Sequence, residues 1–221
     1  MLFRSDLEKA ITGRTKWVIL NSPSNPSGAA YSKAELKALT DVLVRHPHVW
    51  VLTDDMYEHL VYGDFVFTTP VQVEPNLFDR TLTLNGVSKS YAMTGWRIGW
   101  ACGNATLIKA LGTVKSNYDS GIFQAIQVAG ITALQSDPSI TETMRSVFQE
   151  RRDYLINGLR SFGWKIIPPK AAFYVWAKLP KGFNSSMETA KVFLEKADIV
   201  ITPGNGFGKG GEGYVRMALT V

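Results

Sequence analysis

Apolar residues in this chain gather in short continuous runs, separated by stretches where they recur at helical spacing. Trp17-Val18-Ile19-Leu20 is the first run. It reads as a buried strand, because a strand covered on both faces needs no polar alternation. Residues 49–53, 81–84 and 98–101 have the same character. Between the first two runs, Leu36, Leu39 and Leu43 share one face of a helix from Ser32 to about Arg45. Ser32 and Glu35 form the capping box that starts it. Ser5-Asp6-Leu7-Glu8 would cap a short helix before the first strand, and 105–115 and 122–134 read as further helices. Strand and helix alternating in this way predict an α/β fold with a mostly parallel sheet and flanking helices.

Asp137-Pro138 punctuates the chain. A long helical pattern follows over 139–162, with Met144, Val147, Phe148, Tyr154, Leu155 and Leu159 as its apolar positions. Short strands are then expected at 164–167, 173–177, 199–202 and 214–219, with a helix over 186–196. The pattern divides the chain into an α/β unit, 1–138, and a linker helix with a small α+β unit, 139–221. Pro203-Gly204-Asn205-Gly206-Phe207-Gly208 is a glycine-rich loop that reads equally as a flexible turn or as a substrate gate.

Composition narrows the classes. The chain has 221 residues, 45% hydrophobic and 19% charged, an ordinary globular balance and not a disordered one. A net charge of +5 is dispersed, without a basic block that would suggest nucleic acid. No apolar run reaches membrane-spanning length. The chain start lacks a signal-peptide pattern, and no internal repeat is visible. Cys102 is the one cysteine, so no internal disulfide forms; it reads as a small core residue in a chain suited to a reducing cytoplasm. His46, His48 and His59 lack metal-ligand spacing, and no metal site is expected.

Four segments carry candidate chemistry. Lys89 lies in Asn85-Gly86-Val87-Ser88-Lys89-Ser90-Tyr91-Ala92-Met93-Thr94-Gly95-Trp96-Arg97-Ile98-Gly99. Lysine amines form Schiff bases with carbonyls, pyridoxal phosphate included. Arg97, eight residues on, offers a forked cation for a phosphate. Alone, a lysine reads as a solvated surface charge; the three other segments change that reading. Asn21-Ser22-Pro23-Ser24-Asn25-Pro26-Ser27-Gly28 lies between a strand and a helix, where open α/β sheets place ligands; a plain turn has the same composition. Asp54 and Asp55 end a strand and Tyr57 follows. One carboxylate could pair with a protonated ring nitrogen while the other caps the next turn. Arg216 sits within apolar Gly213–Thr220 residues. Buried there, its guanidinium needs an anion such as a substrate carboxylate; on an edge strand it would point to solvent.

In this order the four segments resemble the class I/II pyridoxal-phosphate-dependent aminotransferases, the aspartate aminotransferase superfamily. The strings are Asn25-Pro26-Ser27-Gly28, Asp54-x-x-Tyr57, Ser88-Lys89 through Gly99, and Arg216. The resemblance implies part of the large domain of that transferase fold plus the small domain, with pyridoxal 5'-phosphate as cofactor. Lys89 would bind the cofactor covalently and later shuttle the Cα proton. Asp54 would pair with the ring nitrogen. Asn25, joined to Pro26 by a cis bond, and Tyr57 would contact the phenolic oxygen. Arg97 and Ser88 would hold the phosphate, although some relatives use a serine at the position of Gly86. Arg216 would bind the substrate carboxylate. Implied partners are an amino acid, a 2-oxo acid and, at full length, a second copy in a homodimer. Residues up to about Gly112 resemble bacterial aspartate aminotransferases; 114–127, 172–177 and 202–208 resemble LL-diaminopimelate aminotransferases. Relatives are longer, so the chain is expected to be a fragment. A lyase on the same scaffold, or a non-catalytic fragment, remains open at this point.

Overall fold

The computed structural model describes residues 4–220. Strands β1 (Trp17–Asn21), β2 (Trp50–Asp54) and β3 (Thr81–Gly86) run parallel. Strand β4 (Gly99–Gly103) pairs antiparallel with β3, giving the order β1-β2-β3-β4. The register sets Asn21 level with Asp54, so two polar residues meet where two parallel strands end.

One face of this sheet is covered by α1 (Arg4–Ala10) and α2 (Lys33–Val44). Helix α2 starts at the expected capping box: Glu35 N donates to Ser32 Oγ at 3.3 Å and Ser32 N donates to Glu35 Oε2 at 2.8 Å. Its apolar face (Leu36, Leu39, Val42, Leu43) packs with Leu7 and Ile11 on Leu20, Val49, Val51 and Leu77. Each such side chain, fully buried, stabilises the fold by about 1.5–3 kcal/mol. Ser5 lies inside α1 and does not cap it. A short helix, α3 (Pro70–Val73), and a 3₁₀ turn, Pro75–Arg80, lead into β3. Arg80 donates to the carbonyls of Leu43, His46 and Val49, tying the end of α2 to the segment that leads into β2.

The other face is barer. Leu20 is buried but Ile19 is 67% exposed, so the 17–20 run is covered on one side among the described residues. Helices α4 (Ala105–Tyr118) and α5 (Gln124–Leu134) bury between them Gly130 alone. Cys102, expected in the core, is exposed on edge strand β4.

Helix α6 (Ser139–Ser161) leads to a second sheet. Its strands β5 (Tyr174–Lys178), β6 (Thr202–Pro203) and β7 (Tyr214–Ala218) pair antiparallel in the order β5-β7-β6, with α7 (Ser186–Ala197) packed alongside. Phe148 and Ile156 of α6 join Val175, Ala177, Val215 and Met217 in its core. Tyr154 and Val147, expected on that face, are exposed, and Ile156 takes the buried position.

Two expected strands did not form as drawn. Residues 164–167 are irregular, because Pro168 and Pro169 follow and lack the N–H a ladder needs. Arg160 instead donates to Ile166 O, and Trp164 Nε1 to Lys178 O at 2.6 Å. Of 199–202, Thr202 alone pairs, since Ile199 N is occupied by Phe193 O at the end of α7.

The two sheets share a seam. Tyr57, Leu60 and Tyr62, just after β2, enter the core of the second sheet. Tyr62 N donates to Lys170 O, Ala172 N to Leu60 O, and Ala171 N to Gly28 O. Gly28 has φ +63°, and a Cβ there would lie 2.5 Å from Pro169 Cβ and 2.7 Å from Ala171 O. Only glycine lets the Asn25–Gly28 turn press this closely against the second sheet.

Candidate active site

The tip of β2 presents Asp54. Its Oδ2 accepts from Asn21 Nδ2 at 3.0 Å and its Oδ1 from Met56 N at 3.3 Å. The Asn21 Oδ1 accepts from Asn25 N at 3.0 Å, which ties the turn after β1 to the same point. The Asn25–Pro26 bond is cis, as expected, and so is Ser22–Pro23. From Asn25, Oδ1 accepts from Arg216 Nη1 at 2.8 Å. Strand β1, its turn, β2 and β7 thus converge through four polar side chains, Asn21, Asn25, Asp54 and Arg216.

Arg216 is neither an edge cation nor an ion-paired one among the described residues. Its guanidinium lies between the rings of Tyr174 (4.4 Å) and Phe207 (4.8 Å), an arrangement that suits a delocalised planar cation. Nη2 reaches Thr202 Oγ1 at 3.4 Å. Nε is buried and has no hydrogen-bond partner. A buried donor left unpaired costs about 1–3 kcal/mol. Both ring-covered faces are closed, so an anion must meet this group edge-on.

Tyr57 lies beside Arg216 and the lysine. Its hydroxyl donates to Tyr174 Oη at 3.5 Å, and its ring stands edge-on to Phe173 at 5.4 Å. Burial, with the Tyr174 hydroxyl and charge effects behind it, pushes the Tyr57 phenol above its ordinary range, so the group stays a neutral donor. Lys89 is half-buried in the turn after β3, with Nζ 5.6 Å from the centre of the Phe173 ring. A continuous path of contacts therefore runs from Lys89 through Phe173, Tyr57, Tyr174, Arg216, Asn25 and Asn21 to Asp54.

Ser88 is buried, and its carbonyl accepts from Thr94 Oγ1 at 2.8 Å. Arg97 is exposed, in a left-handed conformation (φ 53°), and its Nη1 donates to Thr94 O at 2.9 Å. Thr94 so joins Arg97 to the Lys89 turn. Phe173, Tyr174, Thr202 and Phe207 were present in the strings read above, but without a role. Asn21 was passed over as a turn residue; its signal was a polar side chain closing one strand as Asp54 closes the next.

Asp55 differs from its neighbour. It is buried, and Thr53 Oγ1 donates to its Oδ1 at 2.6 Å. Burial pushes the carboxyl up to about 7; the Thr53 hydrogen bond opposes this and the Glu58 and Asp54 carboxylates add to it. The folded chain therefore keeps a proton that the unfolded chain releases near the ordinary value of 3.8. This contribution to stability is fully present below that value, falls as the pH rises, and is lost above about 7. A shift of this size corresponds to something on the order of 4 kcal/mol. Asp55→Asn keeps the acceptor for Thr53 and removes the charge. We expect urea unfolding to show wild type losing stability between pH 3.8 and about 7 while Asp55→Asn loses markedly less; parallel curves would contradict this.

Among the described residues no group of three His, Cys, Asp or Glu side chains could hold a metal ion, and no helix is long and apolar enough to cross a membrane.

Residues 3–221 match the family model of aminotransferase class I and II. A probable aspartate/prephenate aminotransferase of Rhizobium leguminosarum bv. phaseoli is 48% identical over 217 residues, covering 93% of this chain and 54% of that protein. An LL-diaminopimelate aminotransferase of Moorella thermoacetica is 45% identical over 213 residues, covering 96% and 53%. The crystal structure of the aspartate aminotransferase from Rhizobium meliloti superposes with a TM-score of 0.92 at 44% identity, over 100% of this chain and 57% of that one. The chain spans about half the length of the curated relatives it matches. With the α/β sheet, the second antiparallel sheet and a match along nearly its full length, this chain belongs to the class I and II aminotransferase family.

Proposed function

We propose that this chain is the pyridoxal-phosphate-binding and substrate-binding part of an aminotransferase. The reaction would move an amino group between an L-amino acid, aspartate-like or diaminopimelate-like, and a 2-oxo acid such as 2-oxoglutarate. Residues 1–138 form the cofactor-binding unit, and 139–221 the linker helix and small unit. The whole protein works as a cytoplasmic homodimer. Bacterial aspartate and LL-diaminopimelate aminotransferases among the relatives support both substrate classes.

The observation that carries the reading is the buried, unpartnered Nε of Arg216 beside its two ring-covered faces. A bidentate carboxylate fits that edge, and every amino or 2-oxo acid carries one. The other residues suit the cofactor. Lys89 offers an amine for its aldehyde. The Asp54 carboxylate, held by two donors, suits a protonated ring nitrogen. Asn25 keeps its Nδ2 donor for the phenolic oxygen, and Tyr57 would turn its hydroxyl proton to it from the long 3.5 Å bond to Tyr174. Arg97 and Ser88 would hold the phosphate. When bound, pyridoxal phosphate supplies an electron sink for the carbanion left at Cα.

The chain's own residues do the rest. Arg216 fixes the carboxylate and so orients the Cα–H bond. Lys89 Nζ takes the Cα proton and returns it on the other side of the transfer. Asp54 holds the ring-nitrogen proton in place by charge. Phe173, 5.6 Å from Lys89 Nζ at its ring centre and edge-on to Tyr57, would form an apolar wall on that side of the amine.

A direct assay separates amino transfer from lyase chemistry. With pyridoxal phosphate, an L-amino acid and 2-oxoglutarate, glutamate should form in step with the donor's 2-oxo acid. Release of ammonia or pyruvate without glutamate would favour a lyase on the same scaffold.

A further inference from the structure

Asn21 takes part in none of the steps above, yet its one amide touches two of the groups that do. It ends β1 level with Asp54 at the end of β2. Its Nδ2 donates to Asp54 Oδ2 at 3.0 Å and its Oδ1 accepts from Asn25 N at 3.0 Å. The orientation is forced. An ionised carboxylate can only accept and a backbone N–H can only donate, so a flipped amide would set acceptor against acceptor and donor against donor.

We propose that Asn21 is a positioning residue whose amide aligns the Asp54 carboxylate and, through the Asn25 turn, the Arg216 guanidinium. The inference rests on the reading of Asp54 and Arg216 as cofactor and carboxylate contacts. Asp54 has donors from two directions, Asn21 Nδ2 and Met56 N, and loss of the first leaves the carboxylate free to turn about its side-chain bond. Asn25 carries the second arm: its backbone is held by Asn21 and its Oδ1 holds Arg216 Nη1 at 2.8 Å. Residues from β1, β2 and β7 are tied together at the point where the two sheets meet. Neither an acidic nor an aliphatic side chain could replace this amide unchanged. Aspartate would keep the acceptor for Asn25 but set a second carboxylate against Asp54, and leucine would lose both bonds.

The test uses equilibrium dialysis of the chain with pyridoxal phosphate, together with amide hydrogen exchange of the cofactor-free chain. Asn21→Leu should weaken cofactor binding about tenfold, the loss expected for one hydrogen bond to a charged acceptor. Asn21→Asp, of nearly the same volume, should weaken it at least as much. In an Asp54→Asn background, adding Asn21→Leu should change the dissociation constant less than about twofold, because the residue acts through Asp54. The Asn25 amide should exchange faster in Asn21→Leu and remain protected in Asn21→Asp. A residue that merely filled space would give additive losses, and additivity overturns the proposal. Unchanged affinity in both Asn21 variants, with wild type binding normally, overturns it too. Should Asn21→Leu unfold by circular dichroism, Asn21→Asp carries the same comparison with Asp54→Asn. Absence of any saturable binding by wild type overturns the functional reading and this inference with it.

Discussion

Lys89→Ala should leave the chain unable to develop the visible absorbance that pyridoxal phosphate acquires on forming a Schiff base with an amine. Amino transfer should fall about 10,000-fold, the upper end of what a positioned acid–base group contributes. The structure bears on why the effect is specific. Lys89 is held half-buried in a turn, with Phe173 5.6 Å from Nζ and Tyr57 packed on that ring. Alanine removes the amine and leaves the buried Val87, Ser88 and Ser90 around it in place. The variant should therefore melt like wild type. Spectra and rates like those of wild type would remove the role assigned to this residue.

Arg216→Ala should raise the KM for the amino acid and the 2-oxo acid together, by about 2–5 kcal/mol of lost binding free energy. The two half-reactions share one carboxylate site, so neither substrate should escape. Arg216→Lys is the sharper variant. It keeps the charge, but a lysine ammonium is a point charge without the fork, and it cannot lie flat between Tyr174 and Phe207. It should recover only part of the loss. Steady-state kinetics with both substrates would show the pattern; full recovery by lysine would mean that simple charge, and not the edge-on fork, binds the carboxylate.

Most of the fold could be read from periodicity because the elements near the site are strongly patterned. Helix α2 announced itself by a capping box and a leucine face, and all three of those leucines are buried. The strand tips were legible for the same reason: an apolar run stops where a polar residue takes over, as at Asn21 and Asp54. Legibility failed where tertiary context decides. The 164–167 segment has strand-like residues, yet two prolines beyond it and a capping arginine before it leave no ladder to join. Tyr154 looked like a core residue, but the helix turns Ile156 inward instead. Ile19 reads as buried from its neighbours and is open, because nothing among the described residues covers that side of β1.

The site was legible in its charged and nucleophilic members, since an aspartate and an arginine at apolar strands, and a lysine among small residues with an arginine eight positions on, demand a reason. Its neutral members were not. Asn21 is one polar residue in a turn rich in them, and only the parallel register places it against Asp54. Phe207 is one of several residues in a glycine-rich loop, and its place over Arg216 depends on how that loop folds back. Gly204 and Gly211 pack so closely there that a Cβ on either would lie 2.0 Å from the other's carbonyl oxygen.

The central claim is that Lys89, among all the lysines, carries the cofactor. Incubating the chain with limiting pyridoxal phosphate, reducing with borohydride and mapping the peptides by mass spectrometry tests it directly. The account predicts a single dominant phosphopyridoxyl adduct, on Lys89. Adducts spread over surface lysines such as Lys9, Lys33 and Lys191, with Lys89 unmodified, would contradict it.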